Sequence, residues 1–583
     1  MKTLMQQGFS RISTPLTSGI SVSTRLSSRG SLTASPGPSS NHAFFRSVSR
    51  CFFHFLRSAP LQHDQSQLLT TAMLTDDGNE AKASTASHMA SLENPFLATL
   101  PAMSESLLML DRFFATTAPI LPFIAKATLI TSLRELTSGS CEPGSWTKRA
   151  LVNIAFAHSC MVVGDIRSDI FFRRSLHCVI SETLRGANIR LIQALLLVTS
   201  YQQQQQMSVK SWTYHALAVK AAFQLGLHCP SSYKEISPSD AELSKRLWYC
   251  LINQDRMLCM CLGRPCLIPS HYICTPRLED PNSTCRISSI GHDYQTESLL
   301  HHKYQTDLYC IVASVLSDMY QHNIEREESL STWTLLATRL KLFHLFEEWN
   351  RKLDPGLELI TPQEVSTILS SQRVEDRFRL SLTMHYYRAL ILLNGPVLTQ
   401  VLDIAIGSSH TNAEAVPFVE HCLPTLRSDF VALENMHQIL SVLSQSEDFL
   451  NQNNMWWLCN HASSSVAMHL FCLALLYQVH PNLEVLIGIP AVKIRQVLGE
   501  CLDNMRLLQR TSVLFRRARE AIHRFTQKLD SVSSVRERNT PSTVVSDIAR
   551  PFDFDFTQYD LSTTNDLLGQ SDLDLLLGDG LYC

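Results

Sequence analysis

The sequence predicts an all-α protein, a multi-helix domain flanked by disordered N- and C-terminal segments. Three observations predict it. From about residue 94 to residue 530, apolar residues recur at intervals of three and four, and strand-like alternation is rare. Residues 1–90 are rich in Ser, Thr, Gly and Pro and include SSRGSLTASPGPSS, which buries too little apolar surface to offset chain entropy. Residues 551–583 carry seven aspartates and no Lys or Arg, too charged to build a core of their own. The expected boundaries are therefore 1–90, 91–530 and 531–583.

Charge is unevenly spread. Residues 1–63 hold Lys2, Arg11, Arg25, Arg29, Arg46, Arg50 and Arg57 and no acid, while the whole 583-residue chain carries a net charge of −3. Around FFRSVSRCFFHFLRS this Arg- and Ser-rich, acid-free composition also matches a mitochondrial transit peptide, which makes the mitochondrion an alternative destination. The middle of the chain shows no basic excess that would grip nucleic acid by phosphate neutralisation alone.

Within the middle, the periodicity predicts helices over 104–114, 151–163, 189–203, 212–225, 241–262, 304–320, 332–352, 377–393, 464–479 and 494–528. Two have readable ends. In SWTYHALAVKAAFQLGLH the stripe Trp212, Ala216, Val219, Phe223 keeps one face, and Gly226 falls where a left-handed residue stops the helix. In AELSKRLWYCLINQDRMLCMCLGRPCLIP the stripe Leu243, Leu247, Leu251, Leu258, Leu262 ends at Gly263 and Pro265. The glutamine run from Gln202 to Gln206 reads as a helix extension or an exposed turn. No uninterrupted apolar run approaches the roughly 18 to 20 residues of a bilayer span, so no membrane segment is expected.

The seventeen cysteines show no C-x-x-C pairs, as expected for reduced thiols rather than a disulfide framework. The densest group is Cys259, Cys261, Cys266, Cys274 and Cys285. Cys259 and Cys261 fall inside a predicted helix on different faces, so buried structural thiols are expected and no metal site is assigned. There is no nucleophile elbow, phosphate loop, dinucleotide fingerprint or H-E-x-x-H, and no enzymatic activity or catalytic residue is assigned. Asp255 falls on the apolar face of its helix; a buried carboxylate needs a partner, and Arg264 beyond the helix end is the expected one. The arginine-rich stretch Arg506, Arg510, Arg516, Arg517, Arg519, Arg524 and Lys528 reads as a solvated helix face, with nuclear import or phosphate contact as its alternative.

The acidic end has the pattern of disordered activation segments. Mutual repulsion of its aspartates keeps Phe552, Phe554, Phe556, Leu567, Leu568, Leu573 and Leu576 accessible for docking into a co-activator groove. A terminal helix packed on the core is the plainer alternative.

The blocks IRLIQALLLVTSY, SWTYHALAVKAAFQLGLHCPSS and SKRLWYCLINQDRMLCMCLGRPCLIP, in that order across 189–269, resemble the middle homology region of fungal-specific transcription factors. LLMLDRFFATTAPILPFI and LTMHYYRALILLNGPVL extend the resemblance more weakly. Asn394-Gly395-Pro396 stands where family members often have an Arg-Pro pair, and Lys245-Arg246 and Trp248-Tyr249 replace a doubled Arg and a doubled Trp. The resemblance implies a helical regulatory domain in a nuclear regulator of a metabolic or secondary-metabolite pathway. It implies co-activators as partners of the tail, promoter DNA reached directly or through a partner factor, and dimerisation with itself or another factor. It assigns Arg246, Trp248, Asp255, Arg256, Gly263, Arg264 and Pro265 to holding the signature helix and its exit turn, as folding residues. Most family members also carry a six-cysteine binuclear zinc cluster ahead of this domain, but residues 1–140 here contain one cysteine, Cys51. Zinc is therefore expected only if a cluster-bearing upstream segment exists. Without one, a co-regulator that reaches promoters through a partner is the reading, and a helical mitochondrial or enzymatic protein of unknown chemistry is the alternative from a different class.

Overall fold

Helix α1, Asn41–Ser58, shows how local pattern becomes tertiary structure. Its residues Phe44, Val48, Cys51, Phe52 and Phe55 recur at three and four, so one face is apolar, and Val48, Cys51, Phe52 and Phe55 are buried. The structure, a computed structural model, describes residues 37–58, 99–138, 145–234, 236–278, 296–324, 330–371, 373–407, 412–509 and 512–539. Among the described residues there are eighteen α-helices and no strand.

Two hydrophobic cores organise them. The first is built by α2 (Met103–Thr116), α3 (Lys126–Thr137), α4 (Ser145–Val162), α5 (Arg167–Thr183), α6 (Ile189–Gln204), α7 (Ser208–Gln224) and the first half of α8 (Pro238–Leu262). Phe113, Phe156, Phe171, Leu195 and Trp248 lie at its centre. Asn188 starts α6 by accepting from Leu191 N at 3.0 Å, and Ser237 starts α8 by accepting from Asp240 N at 3.2 Å. The second core takes the far end of α8 with α9 (Thr296–Asp318), α10 (Thr332–Arg351), α11 (Val365–Ser370), α12 (Val374–Ala405) and α13 (Asn412–Ser444). It is completed by α14 (Glu447–Gln452), α15 (Trp456–Val479), α16 (Leu483–Ile487), α17 (Ala491–Leu508) and α18 (Val513–Asn539), together with α1. Helix α8 thus joins the cores: Leu247 to Ile252 pack in the first, Cys259 to Cys261 in the second.

Most of α12 and all of α15 are long and apolar enough to cross a membrane by length and composition, though no single apolar run is unbroken. Both are largely buried, α15 almost completely, which is the pattern of core helices that meet neighbours on every side.

Several expectations need correction. Residues 1–90 are not irregular throughout, because α1 is a helix whose phenylalanines pack into the second core. Phe52 meets Phe471 edge-on at 5.4 Å and Phe525 at 5.3 Å, and Phe45 stacks on Phe525 at 5.4 Å. The phenylalanines and arginines of a transit-like composition thus form an amphipathic helix, with Arg46 and Arg50 exposed. The helix expected over 494–528 is two, because Ser512 interrupts it and caps α18, its hydroxyl accepting from Phe515 N at 3.2 Å. Helix α18 then runs to Asn539, past the expected boundary at 530. Helix α12 continues through Asn394-Gly395-Pro396 instead of stopping at 393. Pro396 has no N–H for the carbonyl of Leu392, and the hydroxyl of Tyr320 supplies the missing donor at 2.6 Å. Helices α3, α5, α11, α13, α14 and α16 were not expected from the pattern; α13 carries Pro417 and Pro424 within it. Of the arginine-rich stretch, Arg506, Arg516 and Arg517 are exposed, which fits a solvated face.

Four buried histidines make the fold sensitive to acid. Burial pulls His158 and His302 down to about 4, and His215 and His301 down to about 3. An unfolded chain protonates these groups near 6.5, so their contribution is complete above that pH and is lost as pH falls toward 4. Unfolding free energy from urea titrations should drop by up to about 1.4 kcal/mol per pH unit for each of the four below pH 6.5. A flat profile between pH 7 and 5 would refute their neutral burial.

Candidate functional site

The exit from α8 is organised by one carboxylate. Asp255 is completely buried and accepts from the backbone N–H groups of Leu267 at 3.0 Å and Ile268 at 3.1 Å, and from Arg256 Nη1 at 2.6 Å. Burial pushes Asp255 up, while the Arg256 guanidinium and the two amides pull it back toward the ionised form. His215 lies 3.8 Å away, but burial holds it neutral, so it is a packing neighbour and not an ion-pair partner. The expected partner, Arg264, does not reach Asp255. Its guanidinium lies 5.9 Å from the ring of Trp212, and the neighbouring Arg256 with the two amides takes its place. The helical geometry made Arg264 attractive because it follows the helix, but the chain reverses at Gly263 and turns its backbone, not that side chain, toward the carboxylate.

The ligand atoms of Asp255, Cys259 and Cys266 lie within 4.8 Å of one another. Asp255 already receives three donors there, one of them a cation, so this grouping is that of a clamp. Cys259 Sγ lies 3.3 Å from Pro265 O, which ties the exit turn back onto the helix.

The other signature residues are structural too. Trp248 is fully buried against Phe223, with ring centroids 5.9 Å apart. Arg246 is buried, its Nη1 3.4 Å from Pro122 O and its Nε 3.6 Å from Glu242. Gly263 closes α8 with φ of 64°, its N–H donating to Cys259 O at 2.9 Å.

Gly263 has a second duty that the sequence did not announce. Gly37 packs backbone against backbone on it, and a methyl group on either glycine would overlap the other residue. Beside this contact the Ser39 hydroxyl lies 3.2 Å from both Cys259 O and Met260 O, and Ser39 N donates to Asn323 Oδ1 at 2.9 Å. Asn323 Nδ2 in turn donates to Arg264 O at 3.0 Å. The segment leading into α1 therefore places the Ser39 hydroxyl against the last carbonyls of α8, adding to the bond that Gly263 N–H already makes to Cys259 O.

Between α1, α12 and α15 lies a cavity of about 530 Å³. Its wall includes Phe44, Met260, Met319, Tyr320, Ile391 and Leu392 as apolar surface, and Arg388, His461 and His42 as polar groups, with Arg46 and Arg50 on α1. No Asp or Glu lines it. Arg388 is 3% exposed; its Nη2 lies 3.0 Å from Cys261 Sγ and 3.3 Å from His461 Nδ1, and its guanidinium lies 5.3 Å from the ring of Trp457. Asn394, at the departure from the Arg-Pro pair, donates to Asp429 at 3.1 Å and accepts from Arg339 Nε at 3.0 Å. Asp429 is engaged further by His469 at 3.2 Å.

Residues 110–351 match the sequence model described as the fungal specific transcription factor domain, and they include the whole α8 signature. Over these residues the chain is similar to that family. Relatives agree. Transcription factor FBD3 of Gibberella moniliformis is 23% identical over 467 residues, covering 75% of this chain and 60% of that protein. Transcription factor FBD3 of Fusarium pseudograminearum is 24% identical over 358 residues, covering 59% of this chain and 46% of that protein. The acetamidase regulatory protein of Emericella nidulans is 24% identical over 259 residues, covering 42% of this chain and 31% of that protein. This chain thus spans about half of the length of the two FBD3 relatives. The family and these relatives are transcription regulators, not enzymes, and the mitochondrial alternative finds no support among them.

The residues expected to contact co-activators, Phe552, Phe554, Phe556, Leu567, Leu568, Leu573 and Leu576, lie outside the described residues. What sequence reasoning missed is Arg388, His461 and the α1 wall. The signal was present in the apolar spacing of FFRSVSRCFFHF, hidden by the Ser- and Arg-rich composition around it.

Replacing Asp255 by Ala would leave Arg256 and two amides buried without their acceptor. The protein should lose about 3 to 5 kcal/mol in urea unfolding, whereas Arg264→Ala, whose side chain makes only the Trp212 ring contact among the described residues, should lose about 1 kcal/mol or less. Equal losses would refute the assignment of the clamp.

Proposed function

We propose that this chain is a nuclear transcription regulator of a fungal metabolic pathway. Its helical body serves as the regulatory region, and its acidic end recruits co-activators. The observation that carries the reading is the domain match over 110–351, joined to relatives named as transcription factors and as regulators of acetamidase and cutinase. The proposed mechanism is recruitment: the body is brought to promoters directly or through a partner factor, and the aspartate-spaced phenylalanines and leucines dock on a co-activator. The one cysteine among residues 1–140, Cys51, sits on α1 with its Sγ 2.8 Å from Asp403 Oδ1, a packing role inside the second core. Dimerisation of the body, with itself or with the partner, is part of the same proposal.

Because α18 extends to Asn539, the test segment starts at residue 540. Fused to an unrelated DNA-binding domain, residues 540–583 should activate a reporter at least tenfold over the DNA-binding domain alone. Replacing Phe552, Phe554, Phe556, Leu567, Leu568, Leu573 and Leu576 by alanine should abolish most of that output. Absence of activation, or activation unchanged by the substitutions, would remove the tail from the mechanism.

A further inference from the structure

Among the described residues, Arg388 stands out as a buried guanidinium with no carboxylate within ion-pairing distance. Its contacts are neutral groups. Burial pushes the Cys261 thiol up, so the sulfur near Nη2 is not a thiolate, and burial holds His461 well below its ordinary value. Neutral His461 accepts from Arg388 at Nδ1, which leaves the ring proton on Nε2. Three buried donors then have no acceptor among the described residues: Arg388 Nε, Arg388 Nη1 and His461 Nε2–H. The nearby buried carboxylate, Asp429, is already bound by Asn394 and His469 and does not line the cavity. Desolvating a guanidinium without a counter-charge is costly, so the arrangement calls for an anion that enters with a ligand.

We propose that the cavity between α1, α12 and α15 binds a small organic carboxylate, its head on Arg388 and His461 and its carbon skeleton along Met260, Met319, Ile391 and Leu392. A planar guanidinium presents paired N–H donors that match the two oxygens of a carboxylate. The cavity volume of about 530 Å³ lies within the range of small-molecule sites. The apolar wall favours a carboxylate carried on a hydrocarbon body over a bare inorganic anion, and Arg46 and Arg50 on α1 attract it electrostatically at the entrance. Since α1 forms one wall, the bound ligand bridges α1 to the second core. This site stands on the cavity alone, so its failure would leave the transcriptional reading untouched.

The test uses the purified full chain in calorimetry and thermal unfolding with acetate, benzoate, octanoate, succinate and citrate. Octanamide and inorganic phosphate serve as controls. At least one of the carboxylates should bind at one per chain and raise the melting temperature, and octanamide should not. Arg388→Met should weaken that binding at least tenfold while leaving the unliganded protein as stable or more so, because the substitution removes an uncompensated buried charge. A second variant, His461→Gln, which keeps a donor, should bind more weakly than the natural protein yet better than Arg388→Met. Absence of any carboxylate response, equal response to octanamide, binding of phosphate alone, or undiminished binding by a folded Arg388→Met would each overturn the proposal.

Discussion

The acceptance of two backbone amides by the buried carboxylate of Asp255 is the interaction on which the arrangement of this protein depends. It fixes the chain after Gly263 so that Leu267 and Ile268 fold back along α8, and it lets one helix end inside the second core after beginning inside the first. Arg256 beside it neutralises the charge that would otherwise make such burial prohibitive. From this turn follow the left-handed Gly263 and the seat on which Gly37 and Ser39 dock, with the Ser39 hydroxyl against the carbonyls of Cys259 and Met260.

Much of this was legible in the sequence. The stripe Leu243, Leu247, Leu251, Leu258, Leu262 locates α8, Gly263 and Pro265 locate its end, and the position of Asp255 within the stripe announces a buried carboxylate that needs partners. The identity of those partners was not legible, because backbone amides look the same in every sequence and Arg256 precedes Arg264 without advertising its direction. The continuation of α12 through Pro396 was equally hidden. It depends on Tyr320, a residue far away in sequence, placing its hydroxyl against the carbonyl that proline leaves open. Helix α1 was legible by spacing but was outweighed by composition, since serines and arginines around its phenylalanines resemble an unstructured or targeting segment. Arg388 carries no sequence signal of its own; its interest arises only from the absence of a carboxylate around it, which is a property of the packing.

The same geometry connects fold to function. On the regulatory reading proposed above, the usefulness of the helical body lies in what its surfaces and cavities hold and when. Here α1 is seated on the turn after Gly263 and walls the Arg388 cavity, so α1, that turn and the cavity share one set of contacts. An occupant of the cavity that engages α1 differentially would bias how firmly that helix is held, and coupling of this kind needs only a difference in affinity between the seated and released states.

Whether α1 is seated by the exit turn is the claim on which that connection rests, and hydrogen–deuterium exchange on the full chain with Gly37→Val tests it directly. Valine at residue 37 would overlap the backbone of Gly263 while leaving Asp255, Arg256 and both cores in place. The natural protein should protect the amides of 42–56 to the same degree as those of α17, and the variant should lose protection there while α8 and α4 keep theirs. Rapid exchange of 42–56 in the natural protein, or protection unchanged by the valine, would contradict the account.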